Sequence, residues 1–169
     1  NYIVYTKGRR NTKLYLMHKN GGAGTALIAA PASLKTIDPA VSADGRYVYY
    51  SARTSAWNYN AMLPQYSIGV YDREKGNVRT IASRYGSAFT PTVSKDGQWM
   101  VYGSRYNDKT GLVIRNLKNG DERWLAYPVQ RDEQESIAPQ GVLPGMAFTP
   151  DSKFLVASYG GKIWRIPVD

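Results

Sequence analysis

Pro39-Ala40-Val41-Ser42-Ala43-Asp44-Gly45-Arg46-Tyr47-Val48-Tyr49-Tyr50-Ser51 returns as Pro91-Thr92-Val93-Ser94-Lys95-Asp96-Gly97-Gln98-Trp99-Met100-Val101-Tyr102-Gly103. A looser third copy is Met146-Ala147-Phe148-Thr149-Pro150-Asp151-Ser152-Lys153-Phe154-Leu155-Val156-Ala157-Ser158. The aspartates recur at a spacing of about 50 to 55 residues, the period of a four-stranded repeat rather than of a helical one. Tyr2-Ile3-Val4-Tyr5 matches Tyr47-Val48-Tyr49-Tyr50 and marks a copy that begins partway through. Asp-Gly at a strand junction supplies the positive φ of a tight hairpin, and the short acid side chain bonds amides within its own turn. The aromatic and β-branched residues that follow fit a pleated sheet.

Each copy continues alike. A further strand follows at Tyr66–Asp72, Gly111–Leu117 or Lys162–Pro167, then a charged turn, Arg73–Asn77 or Lys118–Asp121. A last strand comes next, Val78–Ala82 or Glu122–Ala126. Short alternating segments between Gly, Asn and Asp turns, with no 3.6-residue apolar stripe, predict an all-β fold of antiparallel hairpins. Four strands per repeat predict a β-propeller, here a partial one of three to four blades. The expected blades are 1–30 (truncated), 38–84, 88–127 and 145–169 (truncated), within a single domain over 1–169. One blade leaves its faces open, so blades must stack. Tyr47, Trp99 and Phe154 share one repeat position and are expected in the layers between blades.

At these residues the chain resembles the TolB-like propeller repeat, whose blades carry Ser-Pro-Asp-Gly-Lys/Arg between their first two strands. The matching segments are Ser42-Ala43-Asp44-Gly45-Arg46, Ser94-Lys95-Asp96-Gly97-Gln98 and Thr149-Pro150-Asp151-Ser152-Lys153. Proline is kept only in the third, where Ser152 stands in place of the glycine. A narrower likeness lies in Asp132-Glu133-Gln134-Glu135-Ser136, Leu143–Asp151 and Ser158-Tyr159-Gly160-Gly161-Lys162-Ile163-Trp164. These look like the propeller that precedes a metal-dependent amidohydrolase domain in large bacterial proteins. The resemblance implies a bacterial, periplasmic or extracellular module, cut from a longer protein in which it docks on or gates that domain.

The 169 residues suffice for a packed core. The absence of cysteine removes disulfides and thiol chemistry, and the single His18 leaves no multi-histidine metal site. No apolar run reaches the roughly 18–20 residues of a membrane helix. The net charge is +9, and Lys7, Arg9, Arg10, Lys13, Lys19 and Lys35 supply much of it before the first acid, Asp38. A single basic cluster lacks the broad stripe with stacking aromatics that nucleic-acid binding calls for, so no specific nucleic-acid partner is expected. Gly21-Gly22-Ala23-Gly24-Thr25 lacks the Lys-Ser/Thr of a phosphate loop and is expected to be a hairpin turn.

Two long connections reach the same rim of a propeller. The first, 53–65, offers Arg53, Trp57, Tyr59 and Gln65. The second, 127–144, offers Arg131, Asp132 and Glu135, and the neighbouring turns add Arg84, Tyr85, Arg105 and Tyr106. Aromatic faces interleaved with guanidinium and amide groups suit a protein partner, such as an adjoining domain or a second copy, and also a peptide or small molecule. Asp132, Glu133 and Glu135 have neither the opposed geometry of a glycosidase pair nor the spacing around glycine of a calcium loop. No catalytic residue, metal or cofactor follows from the sequence. The main reading is a non-catalytic interaction module, and the alternative is a propeller hydrolase or lyase with its active site on the rim. An incomplete ring leaves open edges, so further blades in a longer chain or a homo-oligomer are expected to cover them.

Overall fold

A computed structural model describes residues 1–55, 63–131, 143 and 145–169. All regular structure among them is strand, in four antiparallel sheets. The first holds β1 (Tyr2–Lys7), β2 (Lys13–His18) and β3 (Gly21–Ala26). The second holds β4 (Lys35–Val41), β5 (Tyr47–Arg53), β6 (Ser67–Asp72) and β7 (Asn77–Ala82). The third holds β8 (Phe89–Val93), β9 (Trp99–Tyr106), β10 (Lys109–Asn116) and β11 (Glu122–Arg131). The last holds β12 (Met146–Phe148), β13 (Phe154–Tyr159) and β14 (Lys162–Pro167). Strands β4, β8 and β12 lie side by side as the innermost members, so the sheets stack as propeller blades around one axis.

Strict alternation along each second strand supplies two different cores. In β5, Val48 and Tyr50 pack against Leu14 and Ile28 of the first blade, while Tyr49 joins Met100, Tyr102 and Val113 of the third. In β9, Met100 and Tyr102 face the second blade and Val101 faces Leu155 and Ala157 of the fourth. Both faces of a middle blade are thus buried, which explains why these strands read as nearly continuous apolar runs. Tyr47 and Trp99 lie half-buried at the edges of two such layers, and Phe154 is covered by the Arg165 guanidinium 3.6 Å from its ring centre.

Each repeat turn is held the same way. Ser42 Oγ donates to Asp44 Oδ1 at 2.5 Å, and Arg46 N donates to the same oxygen at 3.0 Å. Ser94 and Gln98 N repeat this around Asp96, and Thr149 and Lys153 N around Asp151. These hydrogen bonds hold the Asp44 and Asp151 carboxyls below the usual carboxylate range.

Two details differ from the sequence reading. The glycine run at 21–25 is not a turn: it forms most of β3, paired with β2, and the turn lies at 19–20. The missing side chain at Gly24 explains the difference, because a Cβ there would lie 2.6 Å from the Tyr5 hydroxyl. Strand β11 runs on to Arg131, so the connection expected at 127–144 starts as strand. Pro128, with no N–H to donate, falls in a break of register between the pairs Leu112–Ala126 and Thr110–Gln130.

Candidate functional site

The turn after β7 is clamped from two sides. Ser87 Oγ accepts from Gln65 N at 2.8 Å, and Ser104 Oγ donates to the Ser87 carbonyl at 2.7 Å. Arg105 N donates to the Gly86 carbonyl at 2.8 Å, so close that a Cβ on Gly86 would sit 1.9 Å from the Arg105 carbonyl oxygen. Glycine is therefore required where the turn lies against β9.

This clamp sets the Arg84 guanidinium 4.8 Å above the Trp124 ring. Trp124, Tyr106 and Tyr127 form a corner with ring centres 5.6–6.1 Å apart, and the Tyr127 hydroxyl donates to the Tyr106 carbonyl at 2.8 Å. Gly111 makes room for it, since a Cβ there would meet Trp124 at 2.7 Å and Tyr127 at 2.8 Å. Tyr85 is 81% exposed, Tyr106 55% and Tyr127 40%, so the corner and its flank present a wide aromatic surface beside guanidinium groups. Such a surface offers stacking and planar donors.

Of the residues singled out on the rim, Arg84, Tyr85 and Tyr106 come together here. Arg105 lies beside them, its Nε donating to the Asn107 carbonyl at 2.7 Å. Arg131 ends β11 opposite Lys109. Trp57, Tyr59, Asp132 and Glu135 lie outside the described residues. The sequence places Trp124 only in a strand and Tyr127 only at the start of the second rim connection. Three positions apart on a regular strand they would face opposite ways. A bulge at Leu125, where the partner of Val113 becomes Trp124 while Leu112 stays with Ala126, shifts the parity and puts both on one face.

Arg53 and Gln65 form a separate, inner group. Arg53 is 2% exposed, and its Nη1 donates to Gln65 Oε1 at 2.7 Å and to the Tyr66 hydroxyl at 3.1 Å. Two lysines lie buried at the same end of the adjacent strands. Lys13 donates to the carbonyls of Pro31 and Leu34, and Lys35 donates to that of Ser33. Burial lowers the pKa of both ammonium groups, and like charge from Lys35 and Arg53 respectively lowers it further. Nearby, the Asp38 carboxyl accepts from Ser51 Oγ at 3.0 Å and Thr90 Oγ1 at 3.3 Å, bridging the second and third blades. Burial pushes this carboxyl up and the two hydroxyls pull it partly back. His18 stands elsewhere, edge-on to Tyr2 at 5.5 Å at the exposed end of β2. Among the described residues no three of His, Asp and Glu gather closely enough to hold a metal ion.

Comparison with solved structures places this architecture among TolB-like propellers. TolB from Acinetobacter baumannii superimposes with a TM-score of 0.71 at 17% identity, over 99% of this chain and 38% of that one. A candidate TolB from Agrobacterium tumefaciens gives 0.68 at 18%, over 99% and 55%. An oligogalacturonate lyase in complex with manganese gives 0.63 at 18%, over 92% and 41%. The chain thus spans 38% to 55% of the length of these proteins, and the likeness is one of fold. No family model and no curated protein matches it in sequence.

Proposed function

We propose that this chain is a non-catalytic propeller module that docks a protein partner on the face bearing the aromatic corner. The corner carries the reading: three exposed tyrosines beside Trp124 and Arg84, with the turn that bears Arg84 and Tyr85 clamped through Ser87. Preformed aromatic and guanidinium anchors are the composition that dominates protein interfaces. The partner we favour is an adjoining amidohydrolase domain of a larger bacterial protein, outside the cytoplasm, which the narrower sequence likeness suggests. The end blades support membership of a larger ring. Ile3 on β1 and Ile163 on β14 are exposed on the strand faces turned away from the neighbouring blades, where a further blade or a second copy would abut.

A photo-activated cross-linker at Tyr85 tests this in the intact protein, with Lys75, exposed in a turn at the opposite end of the second blade, as the control. Adducts to protein from position 85 and none from position 75 are expected. Equal labelling from the two positions would remove the reading. The second reading, a rim enzyme, draws on the fold likeness to oligogalacturonate lyase. Turnover of uronate-containing oligosaccharides by the purified chain would put that reading first.

A further inference from the structure

At the opposite end of the blades from the aromatic corner, a cleft of about 370 Å³ opens between the second and third blades. It lies under the Asp44 and Asp96 turns, and its lining includes Arg79, Lys95, Arg115, Tyr49, Ile81 and Leu117. Its hydrogen-bonding capacity is lopsided. Three of the four carboxylate oxygens are engaged: Asp44 Oδ1 accepts from Ser42 Oγ and Arg46 N, and Asp96 accepts on both oxygens from Ser94 Oγ and Gln98, which leaves Asp44 Oδ2. Arg115 is engaged with Glu122 at 2.8 Å and the Gly120 carbonyl at 3.0 Å.

The remaining donors are not engaged. Among the described residues, Arg79 and Lys95 make no hydrogen bond or ion pair, and neither does the hydroxyl of Tyr49, a residue only 8% exposed. The positive charge of Arg79 acts on the Tyr49 phenol, so the two groups face the same space. Beside these donors the wall is apolar, formed by Ile81 and Leu117, which pack against the core between the blades.

We propose that this cleft binds a small organic monocarboxylate, with Arg79 and Lys95 holding the carboxylate and Ile81 and Leu117 covering its apolar body. Two unengaged cations beside largely engaged acceptors select an anion, because hydrogen bonds between charged groups are stronger than neutral ones. Charge restricts it further. With Arg115 paired to Glu122, Arg79 and Lys95 are the two cations left to a ligand, so a second or third carboxylate on it meets Asp44 and Asp96 without a further cation to offset it. The volume lies at the small end of the range for organic ligands. The site is separate from the docking face and stands independently of it.

Proton NMR titration with benzoate, benzamide and citrate tests the proposal. Benzoate is expected to bind about tenfold or more tightly than benzamide, its neutral isostere, and more tightly than citrate. Arg79→Gln and Lys95→Gln should each weaken benzoate about tenfold, and Tyr49→Phe by a smaller factor of roughly three. Both cations are exposed, so these two variants should keep the wild-type urea midpoint. Equal binding of benzamide, tighter binding of citrate, or benzoate affinity unchanged in both charge variants would overturn the assignment.

Discussion

Replacing Ser152 separates two opposing energies that the third repeat turn combines. Its first two counterparts are Gly45 at φ 74° and Gly97 at φ 71°, and Ser152 adopts the same left-handed backbone at φ 60°. For a residue with a Cβ this conformation costs about 1–2 kcal/mol. The serine hydroxyl offsets part of that cost by accepting from Asp96 N of the neighbouring blade at 3.2 Å, a bond that glycine is unable to make. Such a bond contributes about 0.5–1.5 kcal/mol net. Ser152→Ala keeps the strain and loses the bond, so the chain should become about 1 kcal/mol less stable. Ser152→Gly loses the bond and releases the strain, so it should come out near neutral, with the alanine variant about 1 kcal/mol or more below it. Urea midpoints read this directly, and in melting temperature a gap of that size is about 2–4 °C for a chain of this length. Gly97 gives a reciprocal check: its Cβ position is open, so Gly97→Ala pays only the backbone cost. If Ser152→Gly proved as destabilising as Ser152→Ala, the strain argument would fail. If both variants matched wild type, the inter-blade bond would carry no weight.

Acid should reveal the turn that ends β6. Arg46 donates to Asp72 at 2.8 Å and the amides of Glu74 and Lys75 also point at it, holding its carboxyl at about 2. The folded value lies below the unfolded one, so the stabilisation is present above about pH 4 and is lost as pH falls toward 2. Asp72→Asn should therefore lower the urea midpoint at neutral pH, with the difference closing by about pH 2; a pH-independent difference would assign the effect to shape rather than charge. Gly86→Ala should displace the turn that carries Arg84 and Tyr85, because its Cβ would collide with the Arg105 carbonyl. A loss of about 2 kcal/mol or more in stability, together with weaker cross-linking from position 85, is expected, and an unperturbed midpoint would show that the clamp yields easily.

Part of this molecule is local and part is not. The Asp-Gly turns at 44–45 and 96–97, and the apolar alternation after them, act within a few residues of chain, so the sequence alone carries four blades and most of their strands. It also brings Arg84, Tyr85 and Tyr106 to one rim, because loop position in a propeller follows from strand order. What it does not carry is parity and company. A bulge at Leu125 puts Trp124 and Tyr127 on one face, and that follows from pairing with β10, not from either residue. Gly24 gives up its expected turn because Tyr5, on β1, needs the space. The cleft under Asp44 and Asp96 exists only where two blades meet, since the donors and the apolar wall come from segments far apart in the chain. The repeat determines the blade through short-range turn and pleat geometry. Stacking of the blades decides which side chains meet, and the surfaces proposed here for binding arise from that contact.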